Sequence, residues 1–232
     1  MLMKRDMFNN DSVCIFTDAS LCKINNITSV CSGACVYVGD LLIDQTFHIM
    51  HNSTIQQGEL YAVLLGVLEA VKYGNHFKYI RIFSDSLTSI LAIRERIFKW
   101  VNNLDQDGNL RGFDNNIISN QDYIMHIIHM ILLYNLRIEF YHNKGHINYH
   151  DTNRLNYANE VFAKSNHITE RIDNELIRMI SIGNDQVDRY TGFMLYYHYN
   201  DSYFNTTGLI PAVSFSGYYP FDVNVYKDLI GG

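Results

Sequence analysis

A mixed five-stranded α/β sheet with helices on its faces is the fold class predicted for this 232-residue chain. Three features predict it. Three strand-like runs open the sequence in series, a helix-periodic stretch follows, and the remaining apolar segments alternate between the two types. VCIFTDAS (13–20) is the first strand, an apolar run that ends in an acid. VCSGACVYVG (30–39) and LLIDQTFHIM (41–50) come next, joined as a hairpin at Gly39-Asp40. QQGELYAVLLGVLEAVKYG (56–74) carries apolar residues at 60, 63, 64, 67, 68 and 71, a helical spacing closed by Gly74. FKYIRIFSDS (77–86) is a fourth buried strand, again ending in an acid, and SLTSILAIRERIFKW (86–100) is a helix with a basic second half. Residues 101–119 are polar and read as a loop. QDYIMHIIHMILLYN (121–135) is an apolar helix, and LRIEFYHNKGH (136–146) is a last strand running into a loop. The predicted order is β-β-β-α-β-α-α-β.

Two further helix-like stretches follow, 151–168 and 168–182. From Phe193 the chain becomes rich in Tyr, Phe and Gly and holds both of its prolines, and it reads as short strands and turns. A main domain over 11–192, with 150–182 inserted as a helical hairpin, and a Tyr-rich extension over 193–232 packed onto it are therefore expected.

Hydrophobic residues make up 47% of the chain, enough for a packed core. The net charge of −6 excludes a protein that grips nucleic acid by charge alone. The four cysteines (14, 22, 31, 35) form no C-x-x-C pair, which argues against zinc; Cys31 and Cys35 share one side of a strand and are expected as buried thiols. The first residues lack the apolar run of a signal peptide, and IMHIIHMILLYNL is too short to span a membrane. A reducing, cytoplasmic setting is expected.

The acids carry the chemistry. Asp18 and Asp85 end two buried strands, and ligand sites in open α/β sheets lie outside such ends. Glu59 is read in the first turn of the helix beside them. Singly each acid has a plain explanation: Glu59 as a helix N-terminal charge, Asp85 as a helix cap. Together, crowded carboxylates repel unless a cation neutralises them, and hard divalent ions take such oxygens. Gly183-Asn184-Asp185, with Asp188 one turn on, has the rhythm of another metal-binding helix start.

The set TDAS, QGELYAVLLGVLEA, IRIFSDS, KGH and GNDQVDRYT resembles type 1 ribonuclease H in motif order and in the element order between. The similarity covers roughly 13–146 and resumes at about 183–192. It implies a ribonuclease H-like sheet of three antiparallel then parallel strands, and a metal-dependent endonuclease cutting the RNA strand of RNA–DNA hybrids to 5′-phosphate and 3′-hydroxyl ends. It also implies two Mg²⁺ ions, with Mn²⁺ as a substitute, and a monomer.

By the same resemblance Asp18, Glu59, Asp85 and Asp188 hold metal, and His146 is the mobile catalytic histidine. Ser20, Gln56, Gln57, Ser86, Lys144 and Asn184 contact substrate. The stretch from 146 to 188 is longer than the family's usual spacing, and NYANEVFAKSN (156–166) places Asn159 and Glu160 nearer to it, so Glu160 is the reserve for the fourth acid. Ile55 and Leu87 stand where the family has polar residues, which loosens the expected choice of RNA over DNA. Arg94, Arg96, Lys99 and Trp100 are read as a second grip on the DNA backbone. Two other classes share the acids or the fold: a DNA junction resolvase or exonuclease, and a non-catalytic nucleic-acid-binding module. The exonucleases typically carry D-x-E on the first strand, where this chain has Asp18-Ala19-Ser20.

Overall fold

The computed structural model describes residue 8 and residues 11–24, 26–170, 172–200 and 222–230. β1 (Ser12–Ile24), β2 (Ile27–Val38) and β3 (Leu41–His51) form an antiparallel meander. β4 (Tyr79–Ser84) and β5 (Ile138–His142) add in parallel on the other side of β1, giving the order β3-β2-β1-β4-β5. This is the predicted mixed sheet, and it is open.

Strand alternation decides which helix covers which face. Val13 and Ile15 point into a core with α1 (Ile55–Tyr73) and α4 (Gln121–Leu133). That core also takes the broken helix formed by α2 (Leu87–Leu91), a π-helical stretch (Ala92–Arg96) and α3 (Ile97–Trp100). Cys14 and Phe16 point the opposite way, into a second core with α5 (Thr152–Ser165) and α6 (Asn174–Asn200). Phe16 stacks on Phe83 there at 5.0 Å. Cys31 and Cys35 are buried thiols, and burial pushes both up to about 12. No described helix is long and apolar enough to cross a membrane.

The second core corrects three expectations. There is no helix start at Gly183: α6 begins at Asn174 and runs unbroken through it. Gly183 is there because a Cβ would lie 2.4 Å from the Phe16 ring, so its lack of side chain lets α6 close onto β1. The inserted pair therefore consists of α5 and the first turns of the same helix that carries Asp188. Residues 193–200 are helical rather than the start of a turn-rich tail, and α7 (Val223–Leu229) follows, with Tyr226 buried and its hydroxyl donating to Ile93 O at 3.0 Å. The rest of the Tyr-rich tail, 201–221, lies outside the described residues.

Arg94 is also corrected. Its guanidinium donates to Ser165 O at 2.7 Å, Asn166 Oδ1 at 2.9 Å and Phe140 O at 3.3 Å, so it ties the broken helix to the end of α5 instead of facing a ligand. Asn166 in turn accepts from His142 N at 2.9 Å and donates to His142 O at 2.7 Å, clamping the last residue of β5.

Candidate functional site

Parallel register builds the site. Thr17 pairs with Ser84, so Asp18 and Asp85 emerge side by side one residue further along two adjacent parallel strands. α1 brings the third acid. Thr54 caps it reciprocally with Gln57, and Ser32 Oγ donates to Gly58 O at 2.8 Å, pinning the helix start to β2. Glu59 follows directly, one residue beyond the first turn where the sequence reading placed it. One carboxylate oxygen from each of Asp18, Glu59 and Asp85 lies within 4.8 Å of the other two.

At that separation two full charges repel by about 3 kcal/mol or more, taking an effective dielectric of about 20. The protein instead raises their proton affinity. Burial and then the charge of Asp85 push Asp18 up to about 8. Burial, then Asp18 and Asp85, push Glu59 up to about 9. Burial also raises Asp85, against the opposing pull of His146. Glu59 Oε2 is buried with no hydrogen-bond partner among the described residues. Three converging carboxylates, Asp18 buried and the other two half-buried, with one buried oxygen orphaned, fit a divalent cation.

The titration has a consequence for stability. The unfolded values are 3.8 for Asp18 and 4.5 for Glu59, so between there and about 8 to 9 the folded state holds more protons than the unfolded. Metal-free stability therefore falls as pH rises through that window. The expected melting midpoint in chelator is higher at pH 5 than at pH 9 by several degrees. Saturating Mg²⁺ should raise the pH 9 value most. A midpoint in chelator that climbs steadily from pH 5 to pH 9 would contradict the cluster.

α6 supplies the remaining sides. Asp188 lies against Asp18, within hydrogen-bonding contact, and its Oδ2 is 3.5 Å from His146 Nδ1. Asn184, one turn earlier and buried, donates to Asp85 and accepts from Asn143 Nδ2 at 2.9 Å. Glu160 is exposed on α5 and is not among the charges acting on the three acids. Asn159 instead braces α5, donating to Ile172 O at 3.1 Å and Asn174 Oδ1 at 2.8 Å.

The KGH turn closes the mouth. His146 is exposed, with a left-handed φ of 52° that holds the imidazole at the rim between Asp85 and Asp188. Gly145 before it is pressed onto the cluster, where a Cβ would fall 1.9 Å from Asp85 Oδ2. Gly145→Ala is therefore expected to displace Asp85 and cut turnover by about 10²-fold with little loss of substrate affinity, as steady-state kinetics would show.

The expected substrate contacts divide. Lys144 is half-buried and its charge acts on Asp85, and Gln56 is exposed at the start of α1. Three others are already engaged within the protein. Gln57 Oε1 accepts from Thr54 N at 2.9 Å, Ser20 Oγ meets Thr191 Oγ1 at 2.7 Å, and Ser86 Oγ meets Ser89 Oγ at 2.9 Å. Ile55 and Leu87 are exposed at the starts of α1 and α2, which makes the rim apolar at those points. Asn143 was missed from sequence. Its only signal is a polar residue in YHN, at the point where an apolar strand reaches the cluster.

A family model for RNase H matches residues 10–166, ending before α6. No curated protein matches the chain. Among solved structures, the foamy viral protease-reverse transcriptase in complex with RNA/DNA hybrid is 17% identical, covering 68% of this chain and 20% of that one, with a TM-score of 0.49. The PFV RNase H domain in solution is 17% identical over 72% of this chain and 99% of that one, also at 0.49. LC11-RNase H1, isolated from compost by a metagenomic approach, is 12% identical over 67% and 98%, at 0.43. The chain thus spans about a fifth of the foamy viral enzyme's length.

Proposed function

The chain belongs to the RNase H family, hydrolases acting on the RNA strand of RNA–DNA hybrids, and we propose that it performs this cleavage at a pair of Mg²⁺ ions between Asp18, Glu59, Asp85 and Asp188. The observation that carries the reading is the meeting of three acids, Asp18 buried and Glu59 and Asp85 half-buried, at the ends of two parallel strands and near the start of one helix, with the proton affinities of Asp18 and Glu59 raised far above the carboxylate range. Divalent cations bound there supply positive charge to an attacking water and to the leaving 3′-oxygen.

The chain's own residues do the rest. Asp18, the most enclosed, has Asp85 and Asp188 acting on it and would hold metal at the centre of the cluster. Glu59 and Asp85 would hold metal with it, and Asp188 would complete the ligand set. Asn184 keeps Asp85 turned toward the centre. His146, exposed at the rim, has a ring nitrogen free to turn outward and carry a proton to or from the departing product. Lys144 and Gln56 would meet the phosphodiester and ribose groups around the scissile bond. Manganese should substitute for magnesium.

The test is a substrate panel. The full chain is incubated with end-labelled RNA–DNA hybrid, double-stranded RNA and a four-way DNA junction, in Mg²⁺, Mn²⁺ or EDTA. Cleavage of the hybrid alone, with 5′-phosphate ends and silence in EDTA, is expected. Junction cleavage with an intact hybrid would overturn the reading in favour of a resolvase.

A further inference from the structure

We propose that Asn143 is a positioning residue for this cluster: its side-chain amide fixes which end of the Asn184 amide faces Asp85. This rests on the metal-dependent reading above. An asparagine amide has a donor end and an acceptor end of nearly the same shape, so its partners decide which way it points. Asn184 is 2% exposed, so water does not make that choice. Asn143 Nδ2 donates to Asn184 Oδ1 at 2.9 Å, which leaves the NH₂ end of Asn184 to donate to Asp85. The opposite flip would set a carbonyl oxygen against the Asp85 carboxylate and an NH₂ group against another NH₂ group.

Asn143 is well anchored for this task. Its backbone N donates to Ser84 O at 3.0 Å, extending the β4–β5 ladder one residue past the pair Ser84 and His142. It is thus tied to the residue immediately before Asp85, while Gly145, two residues on, packs against Asp85 itself. Asn143 is also 2% exposed, and its Oδ1 finds no partner among the described residues. A buried side chain that leaves one polar atom unsatisfied is a poor choice for stability alone, since an apolar residue of similar volume would avoid that loss. What the asparagine adds is the oriented donor.

Partners behind a metal ligand typically change metal affinity or activity by about 10- to 100-fold when removed. Asn143 stands one step further back, so about tenfold is expected. The experiment measures Mn²⁺ binding to the full chain by calorimetry without substrate, together with hybrid cleavage and melting. The proteins compared are wild type, N143L, N143D, N184A and the two double variants.

N143L should weaken Mn²⁺ binding about tenfold and lower kcat by a similar factor, with KM for hybrid and the melting midpoint nearly unchanged. N143D keeps the shape of asparagine but cannot donate, so it draws the Asn184 NH₂ onto itself and turns Oδ1 toward Asp85. It too should weaken Mn²⁺ binding, although an added negative charge by itself would tighten it. In the N184A background neither change should weaken binding further. Wild-type Mn²⁺ affinity in N143L, or the same loss with and without Asn184, overturns the proposal. If N143L does not fold, N143D decides alone, and tighter binding there overturns it. A wild-type protein that leaves hybrid uncut defeats the functional reading separately, and the calorimetric comparison still judges Asn143.

Discussion

Asp18→Asn is expected to lower hybrid cleavage by on the order of 10³-fold or more, equivalent to about 4 kcal/mol of transition-state stabilisation. Asp18 is 4% exposed and has both Asp85 and Asp188 acting on it, which makes it the most enclosed acid of the cluster. The same change should stabilise the metal-free protein at pH 9, because it removes a buried charge from a crowded site. The two effects have opposite signs, and measuring both separates a lost ligand from a broken fold. A variant that loses activity and also melts earlier than wild type in EDTA at pH 9 would show that Asp18 is structural first. The measurements are single-turnover cleavage of labelled hybrid and a thermal melt in chelator.

Asp188→Asn should lower cleavage by on the order of 10²-fold, and Glu160→Gln should leave it within about twofold of wild type. Asp188 lies within hydrogen-bonding contact of Asp18 and 3.5 Å from His146, while Glu160 points to solvent from α5. Titrating Mg²⁺ against activity sharpens the contrast, since the Asp188 variant should need more metal and the Glu160 variant should not. The reverse pattern would place the fourth corner of the site on α5, inside the stretch the family model matches, and would leave α6 as packing alone.

The sheet and three of the acids were legible from sequence for one physical reason. Buried parallel strands are short apolar runs, and an acid at the end of such a run has little room to be anything but a ligand or a cap. Asp18 and Asp85 could be paired before any coordinates, because adjacent strands that end alike bring their ends together. Glu59 was legible through the helical spacing after it, although its exact turn was not.

What could not be read was contact across large sequence distances. Gly183 looked like a helix start because glycine usually breaks helices; only the Phe16 ring, 167 residues earlier (183 − 16), explains a glycine inside one. Arg94 looked like a solvent-facing cation because its partners, Ser165 and Asn166, come more than 70 residues later. Asn143 was invisible because its role depends on Asn184, and neither side chain's orientation is written in local pattern. Residues 193–200 were read as short strands and turns from composition, whereas the buried faces of Thr191 and Leu195 carry the helix through them.

The clamp of Asn166 on His142 has a meaning beyond holding α5 in place. An open sheet normally offers its outermost strands as templates on which a neighbouring molecule can add a strand of its own. Asn166 answers both the amide and the carbonyl of the final β5 residue, imitating the backbone of a sixth strand for one residue. That end of β5 is therefore closed to an added strand at its last residue.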